Sequence, residues 1–245
     1  MKRTSNADTA KEHRTIFSEL LHADVPVEEK SAKRLTEEAQ VVISAGTVTT
    51  AHFLAHTMYH ILANEQIHRT LQAELAQSRA AASGTPPSMQ DFEHLPYLNA
   101  VIKEGYRLSY GIISRLPRIA PDTILHCQGH TIPAGTTVSM TSLIQHTDPS
   151  LFPNPESFNP QRWLDSDDLH LDRYLVNFSK GTRACVGINL AKAEITLTLA
   201  AMFTNFDMEL HDTTIADVEI ARDYFAPYAS AHGRGLRVTL RNSGL

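Results

Sequence analysis

Cysteine is nearly absent from this chain: Cys127 and Cys185 are the two such residues among 245. That is too few for the disulfide framework that staples small secreted domains. Basic residues are in no excess, with 22 Lys and Arg against 27 Asp and Glu and a formal net charge of −5. A chain so balanced lacks the electrostatic footprint of a nucleic-acid binder. There is no apolar run of about 20 residues, the length that crosses a bilayer. Met1-Lys2-Arg3-Thr4-Ser5 leads into polar sequence rather than an apolar signal segment. No internal repeat is visible. With 42% hydrophobic and 20% charged residues, the expectation is an intracellular, helix-rich protein long enough to bury a real core.

The pattern along the chain is mostly helical. Residues 1–14 are polar; Ile16–Leu21 reads as a short helix that stops before Pro26. Residues 30–63 read as one long helix and Glu65–Leu75 as the next, followed by a Ser83–Ser88 loop. Tyr97–Leu108 is helical, with Pro96 at a first-turn position and Leu98, Val101, Ile102 and Leu108 as the apolar stripe. Short strands are expected at Ile119–Ala120, Thr123–His126 and Thr136–Met140, with Pro133-Ala134-Gly135 turning between the last two. A helix is expected over Leu190–Phe203 and a terminal strand over Leu236–Leu240. The fold class is mainly α with small β-sheets.

The densest signal is Phe178-Ser179-Lys180-Gly181-Thr182-Arg183-Ala184-Cys185-Val186-Gly187. Gly181 permits a sharp turn, Phe178 offers an apolar wall for a flat cofactor, and Arg183 offers a fixed fork for a carboxylate. Cys185 precedes the helix-like Ile188–Glu194 run, so its sulfur would face the free N–H groups of a helix start, a setting that favours thiolate. Gly187 would let the backbone approach the sulfur. A buried structural thiol in a glycine-bounded turn is the plainer alternative.

Two other segments stand out. Glu104 and Arg107 share a helix face three residues apart and precede Phe158-Asn159-Pro160-Gln161-Arg162-Trp163; by themselves they could be a surface ion pair. The stretch Ala45-Gly46-Thr47-Val48-Thr49-Thr50 interrupts the long helix with poor helix formers, or is a β-branched core segment. His126, Cys127 and His130 lie in a strand–turn setting with no second cluster, short of the four ligands a zinc site needs.

Taken together, these segments resemble the cytochrome P450 family. The loop matches F-x-x-G-x-R-x-C-x-G at each fixed position, Glu104 to Arg107 matches E-x-x-R, and Phe158 to Trp163 matches F-x-P-x-R-[FW]. Ala45, Gly46, Thr49 and Thr50 match A-G-x-[DE]-T-[TS]; where that pattern has an acid, this chain has Val48, which can neither donate nor accept a proton. The resemblance implies the C-terminal portion of the P450 fold: the distal long helix, the E-x-x-R helix, the cysteine loop and the helix after it. It runs from about Thr15 to Val238, so the expected organisation is a polar segment over 1–14 and a C-terminal part of a P450 domain over 15–245, without the N-terminal half.

The resemblance further implies a haem b cofactor with Cys185 as its thiolate ligand and metal site. Phe178, Gly181, Arg183 and Gly187 would stand in the cofactor loop, and Arg118 would meet a propionate, with Arg115 as the fallback. Thr49 would position oxygen as the catalytic residue. Glu104, Arg107 and Arg162 would form a buried structural triad, and Ile112, Ile113 and Phe225 would line a pocket. His146 and Asp148 would be structural. The implied activity is a haem-thiolate monooxygenase that hydroxylates a hydrophobic small molecule, served by an NADPH-dependent reductase docking near Lys180, Arg183 and Lys192, with no nucleic-acid partner. The texture is similar to that of filamentous-fungal P450s of secondary metabolism. Relatives often sit at the endoplasmic-reticulum membrane, whereas this chain shows no anchor. The alternatives are a truncated, catalytically inactive remnant and a peroxide-using or isomerising haem enzyme.

Overall fold

The computed structural model describes residues 15–82, 87–165 and 170–242. The 1–14 segment, the first four residues of the 83–88 loop and residues 243–245 lie outside the described residues. The chain divides after Ala45 into two compact units.

The first unit holds helix α1 (Ile16–His22), a 3-10 turn (Val27–Lys30) and the first part of helix α2 (Ala32–Leu62). Thr15 caps α1 through a capping box with Ser18, which satisfies two backbone donors a helix start otherwise leaves free. Arg34 reaches Glu29 and Glu38, and all three side chains are substantially exposed.

The second unit carries the core. The rest of α2 is followed by α3 (Glu65–Ala81), α4 (Met89–Glu93) and α5 (Pro96–Ser109), then later by α6 (Ser142–His146) and α7 (Ile188–Asn205). Asn64 caps α3 by accepting from the N–H groups of Gln66 and Ile67. Helix α5 has no cap of its own. Glu74 on α3 supplies one across the core, accepting from Tyr97 N–H and Leu98 N–H at 2.8 Å each. A carboxylate there meets both the orphan donors and the positive end of the helix dipole. Ile61, Leu71, Leu75, Leu98, Val101, Leu199 and Phe203 form the centre of the core. Helix α2 approaches α5 closely at Gly105, where a Cβ would fall 2.4 Å from Thr57 Oγ1 and 2.8 Å from the Phe53 ring.

Among the described residues the strands make four two-stranded antiparallel sheets: β1 (Arg118–Ile119) with β4 (Thr137–Val138), β2 (Leu125–Cys127) with β3 (His130–Ile132), β5 (Phe206–Leu210) with β8 (Val238–Asn242), and β6 (Arg222–Tyr224) with β7 (Ala226–Tyr228). Two expectations need correcting. The first hairpin closes at Gln128 and Gly129, both at positive φ, the backbone a two-residue hairpin turn requires. Pro133–Gly135 instead joins β3 to β4, which pairs back to β1. Helix α3 also continues past Leu75 to Ala81. No helix among the described residues is long and apolar enough to cross a membrane.

Candidate functional site

The segment 176–187 is a loop held by its own backbone. Ser179 N–H donates to Val176 C=O at 2.8 Å, Ala184 N–H to Gly181 C=O at 3.0 Å, and Cys185 N–H to Phe178 C=O at 2.8 Å. Ser179 and Gly181 both adopt positive φ, 62° and 74°; the second is a conformation that favours glycine. A short 3-10 turn, Gly181–Arg183, then delivers Cys185 to the start of α7, whose N-cap is Gly187. The thiol is exposed. Arg183 is exposed too, with no acidic partner among the described residues. A Cβ on Gly187 would sit 4.0 Å from the Cys185 sulfur. That is ordinary contact distance, so the sulfur does lie beside the helix start but does not by itself demand glycine there.

Phe178 rests edge-on against Tyr106 of α5, with ring centroids 5.0 Å apart, and Tyr106 rests on Phe53 of α2 at 4.8 Å. The tyrosine hydroxyl is buried without a hydrogen-bond partner among the described residues, and burial raises its pKa well above the ordinary phenol value.

Behind this loop the structure brings Glu104, Arg107 and Arg162 together. Glu104 and Arg107 are fully buried. Arg107 forks onto the carboxylate, Nε to Oε2 at 2.9 Å and Nη2 to Oε1 at 2.8 Å. Its remaining N–H groups go to the carbonyls of His146 (3.0 Å), Pro155 (2.7 Å) and Ser157 (3.0 Å). Arg162 Nε donates to Glu104 Oε1 at 3.1 Å. Two further donors complete the carboxylate: Asn159 N–H at 2.8 Å and the Trp163 indole at 2.9 Å. A buried ion pair is tolerated only when its lone pairs and protons are met in this way.

The sequence reading missed Asn159 and Trp163 as partners. A motif position that accepts either Phe or Trp carries no hydrogen-bond signal, and a backbone N–H leaves none at all. It also missed the file His52, His56 and His60 along α2, although the four-residue spacing is legible. His56 and His60 rings are 4.5 Å apart and their Nε2 atoms 3.3 Å apart, while His60 stacks on Phe158 at 4.9 Å. Burial lowers the pKa of His52 and of His60 to about 4 and takes His56 well below its usual value, assisted at His56 by its histidine neighbours. No group of three or more His, Cys, Asp or Glu among the described residues is placed to hold a metal ion, the His126, Cys127 and His130 set included.

The remaining predicted residues are placed less tightly. Thr49 lies half-buried in mid-α2, beside half-buried Val48. Arg118 is exposed on β1, its Nη1 donating to Pro117 C=O at 3.0 Å. Phe225 is 59% exposed, so in this structure it lines no enclosed pocket.

A family model described as Cytochrome P450 matches residues 1–225. Cytochrome P450 monooxygenase MO6277 of Ascocoryne sarcoides is 45% identical over 232 residues, 94% of this chain and 45% of that protein. Tryptophan 6-hydroxylase fscE of Fusarium equiseti is 44% identical over 228 residues, 92% of this chain and 44% of that one. N-acetyltryptophan 6-hydroxylase ivoC of Emericella nidulans is 42% identical over 248 residues, 99% and 48% respectively. The chain thus spans about half the length of the curated relatives it matches.

Proposed function

This chain belongs to the cytochrome P450 family, and from that premise we propose that it is the haem-thiolate portion of a monooxygenase hydroxylating a hydrophobic small molecule in fungal secondary metabolism. The observation that carries the reading is the cysteine loop: one exposed thiol, fixed by its own backbone bonds at a helix start, beside an arginine with no acidic partner among the described residues. That donor set fits haem, pairing a soft sulfur ligand with a fork for carboxylates.

Haem, when bound, would supply the activation of molecular oxygen and the transfer of one oxygen atom to carbon. The chain's own residues would do the rest. Cys185 would supply the sulfur ligand from the start of α7, where the helix dipole favours negative charge. Arg183 and Arg118 would meet propionates, and Phe178, braced by Tyr106, would form the apolar wall beside the sulfur. Thr49 would hold a proton at its hydroxyl on the distal helix. Electrons would come from an NADPH-dependent reductase docking around Lys180, Arg183 and Lys192. Two relatives are named for hydroxylating tryptophan or N-acetyltryptophan, so those two compounds head the substrate panel.

The test is the carbon monoxide difference spectrum of the reduced, haem-loaded chain beside its Cys185→Ser variant. A thiolate-type Soret band that disappears in the variant is expected. No such band in the parent chain, or a band the variant retains, rejects Cys185 as the ligand. Val48, standing where the family pattern has an acid, favours a second reading: a haem-competent chain without ordinary oxygen-activating turnover.

A further inference from the structure

His146 ends α6 and is fully buried. Its Nε2 accepts the backbone N–H of Val176 at 3.0 Å, and an N–H can only donate, so that nitrogen carries no proton. Its Nδ1 lies 3.0 Å from the Arg107 carbonyl, and a carbonyl can only accept, so the proton is on Nδ1. The two contacts together fix a single neutral tautomer. They also join two elements: Arg107 is the buried arginine of α5, and Val176 begins the segment leading to Cys185.

The connection continues beyond Val176. Its own carbonyl accepts from Ser179 N–H at 2.8 Å, setting the positive-φ turn, and Phe178 C=O then accepts from Cys185 N–H at 2.8 Å. The lead-in is otherwise pressed against the end of α5, where a Cβ on Gly111 would fall 2.6 Å from Asn177 O. We propose that His146 is a positioning residue that couples the Glu104–Arg107 helix to the cysteine loop through its neutral Nδ1–H tautomer, and that a proton on its second nitrogen releases the loop. The imidazolium would aim Nε2–H at Val176 N–H, two donors facing each other.

The groups around the ring set the proton's cost. Burial opposes the charged form and dominates, holding the pKa at about 4; the Arg107 carbonyl, the Tyr174 carbonyl and Glu104 favour it, and the Arg107 guanidinium opposes it. Tyr110 stacks on the ring at 6.3 Å and Phe152 meets it edge-on at 6.4 Å, and neither can stabilise the charge by ionising at neutral pH. The Tyr174 carbonyl is already engaged by the Gln145 amide at 2.9 Å. In the released loop the imidazole returns to an ordinary pKa of about 6.5. Release therefore becomes about twentyfold more favourable between pH 7 and pH 5, the ratio those two values dictate.

The test is hydrogen exchange at Val176 and across 176–186 in the full chain, corrected for intrinsic rate, from pH 7 to pH 5. Wild type should lose about twentyfold in protection. His146→Gln, which keeps an acceptor near the Nε2 position but does not titrate, should hold nearly constant. The other buried histidines act equally in both proteins, so the difference isolates His146. Equal slopes in the two proteins would overturn the proposal. Should the variant fail to fold, nitrogen NMR of wild-type His146 at pH 7 decides: Nδ1–H supports the coupling, and Nε2–H or an imidazolium refutes it. The consequence for a haem ligand rests on the monooxygenase reading, but exchange needs no haem. A pH-dependent loop in a chain without a thiolate-type Soret band would reject that reading and leave the coupling standing.

Discussion

Arg107→Ala removes a fully buried side chain whose N–H groups are all engaged. Arginine has five N–H donors, and here two go to Glu104 and three to the carbonyls of His146, Pro155 and Ser157. The truncation leaves Glu104 buried with Arg162, Asn159 N–H and Trp163 as its partners. It also strands the carbonyls of His146 and Pro155. Removing one member of a buried pair costs about 3–5 kcal/mol. Each stranded acceptor adds about 1–3 kcal/mol, not independently, because all share one network. Whole domains are stable by about 5–15 kcal/mol, so the variant should lie at or below its folding threshold. Urea midpoints and soluble yield report this directly. Arg107→Lys keeps the charge but cannot fork and should fall between. A soluble Arg107→Ala protein within about 0.5 kcal/mol of wild type, an ordinary surface-substitution effect, would refute the reasoning.

Two other outcomes follow from α2. His52 and His60 are held neutral by burial with pKa values of about 4, whereas the unfolded chain takes up those protons near pH 6.5. Stability is therefore full above pH 6.5 and declines toward pH 4, at most about 2 kcal/mol per histidine between pH 7 and 5. Urea midpoints that do not move over that interval would show that these rings are not buried as described. At Val48, substitution by Asp should raise the fraction of consumed oxygen that appears in product if the chain is a monooxygenase. An unchanged fraction favours the reading without ordinary oxygen activation.

What was legible in the sequence follows from which physics is local. Helices α2, α5 and α7 announce themselves through apolar periodicity, and their observed bounds lie within a few residues of that pattern. The Glu104, Arg107 and Arg162 grouping was reachable only through the resemblance of E-x-x-R and F-x-P-x-R-[FW] to the cytochrome P450 patterns; the residues alone also read as a surface ion pair. Strand pairing was not: the Thr136–Met140 run reads as one arm of a hairpin, yet its Thr137–Val138 core pairs with Arg118–Ile119 across the intervening β2–β3 hairpin. Residue type does not encode such a long-range choice. The Glu74 cap on α5 is equally silent, since a carboxylate on an exposed-looking helix face points to no distant N-terminus. His146 was visible as a residue, but its two backbone partners lie 39 and 30 positions away.

These partners converge on one stretch of α5. Glu104 gathers Arg162, Trp163 and Asn159; Tyr106 braces Phe178; the Arg107 carbonyl holds the His146 ring. Phe178 and Val176 belong to the cysteine loop, so that loop is tied to the helix twice, once by ring packing and once by hydrogen bonds through His146. The two ties differ in kind. An edge-to-face aromatic contact contributes about 0.5–1.5 kcal/mol and is indifferent to protons, whereas the histidine tie exists in one protonation state alone. A shift of α5 would reach Cys185 by both routes, but a proton would sever only the second and leave Phe178 seated on Tyr106. Acid should therefore loosen the Val176 end of the loop before it frees the aromatic wall beside the sulfur.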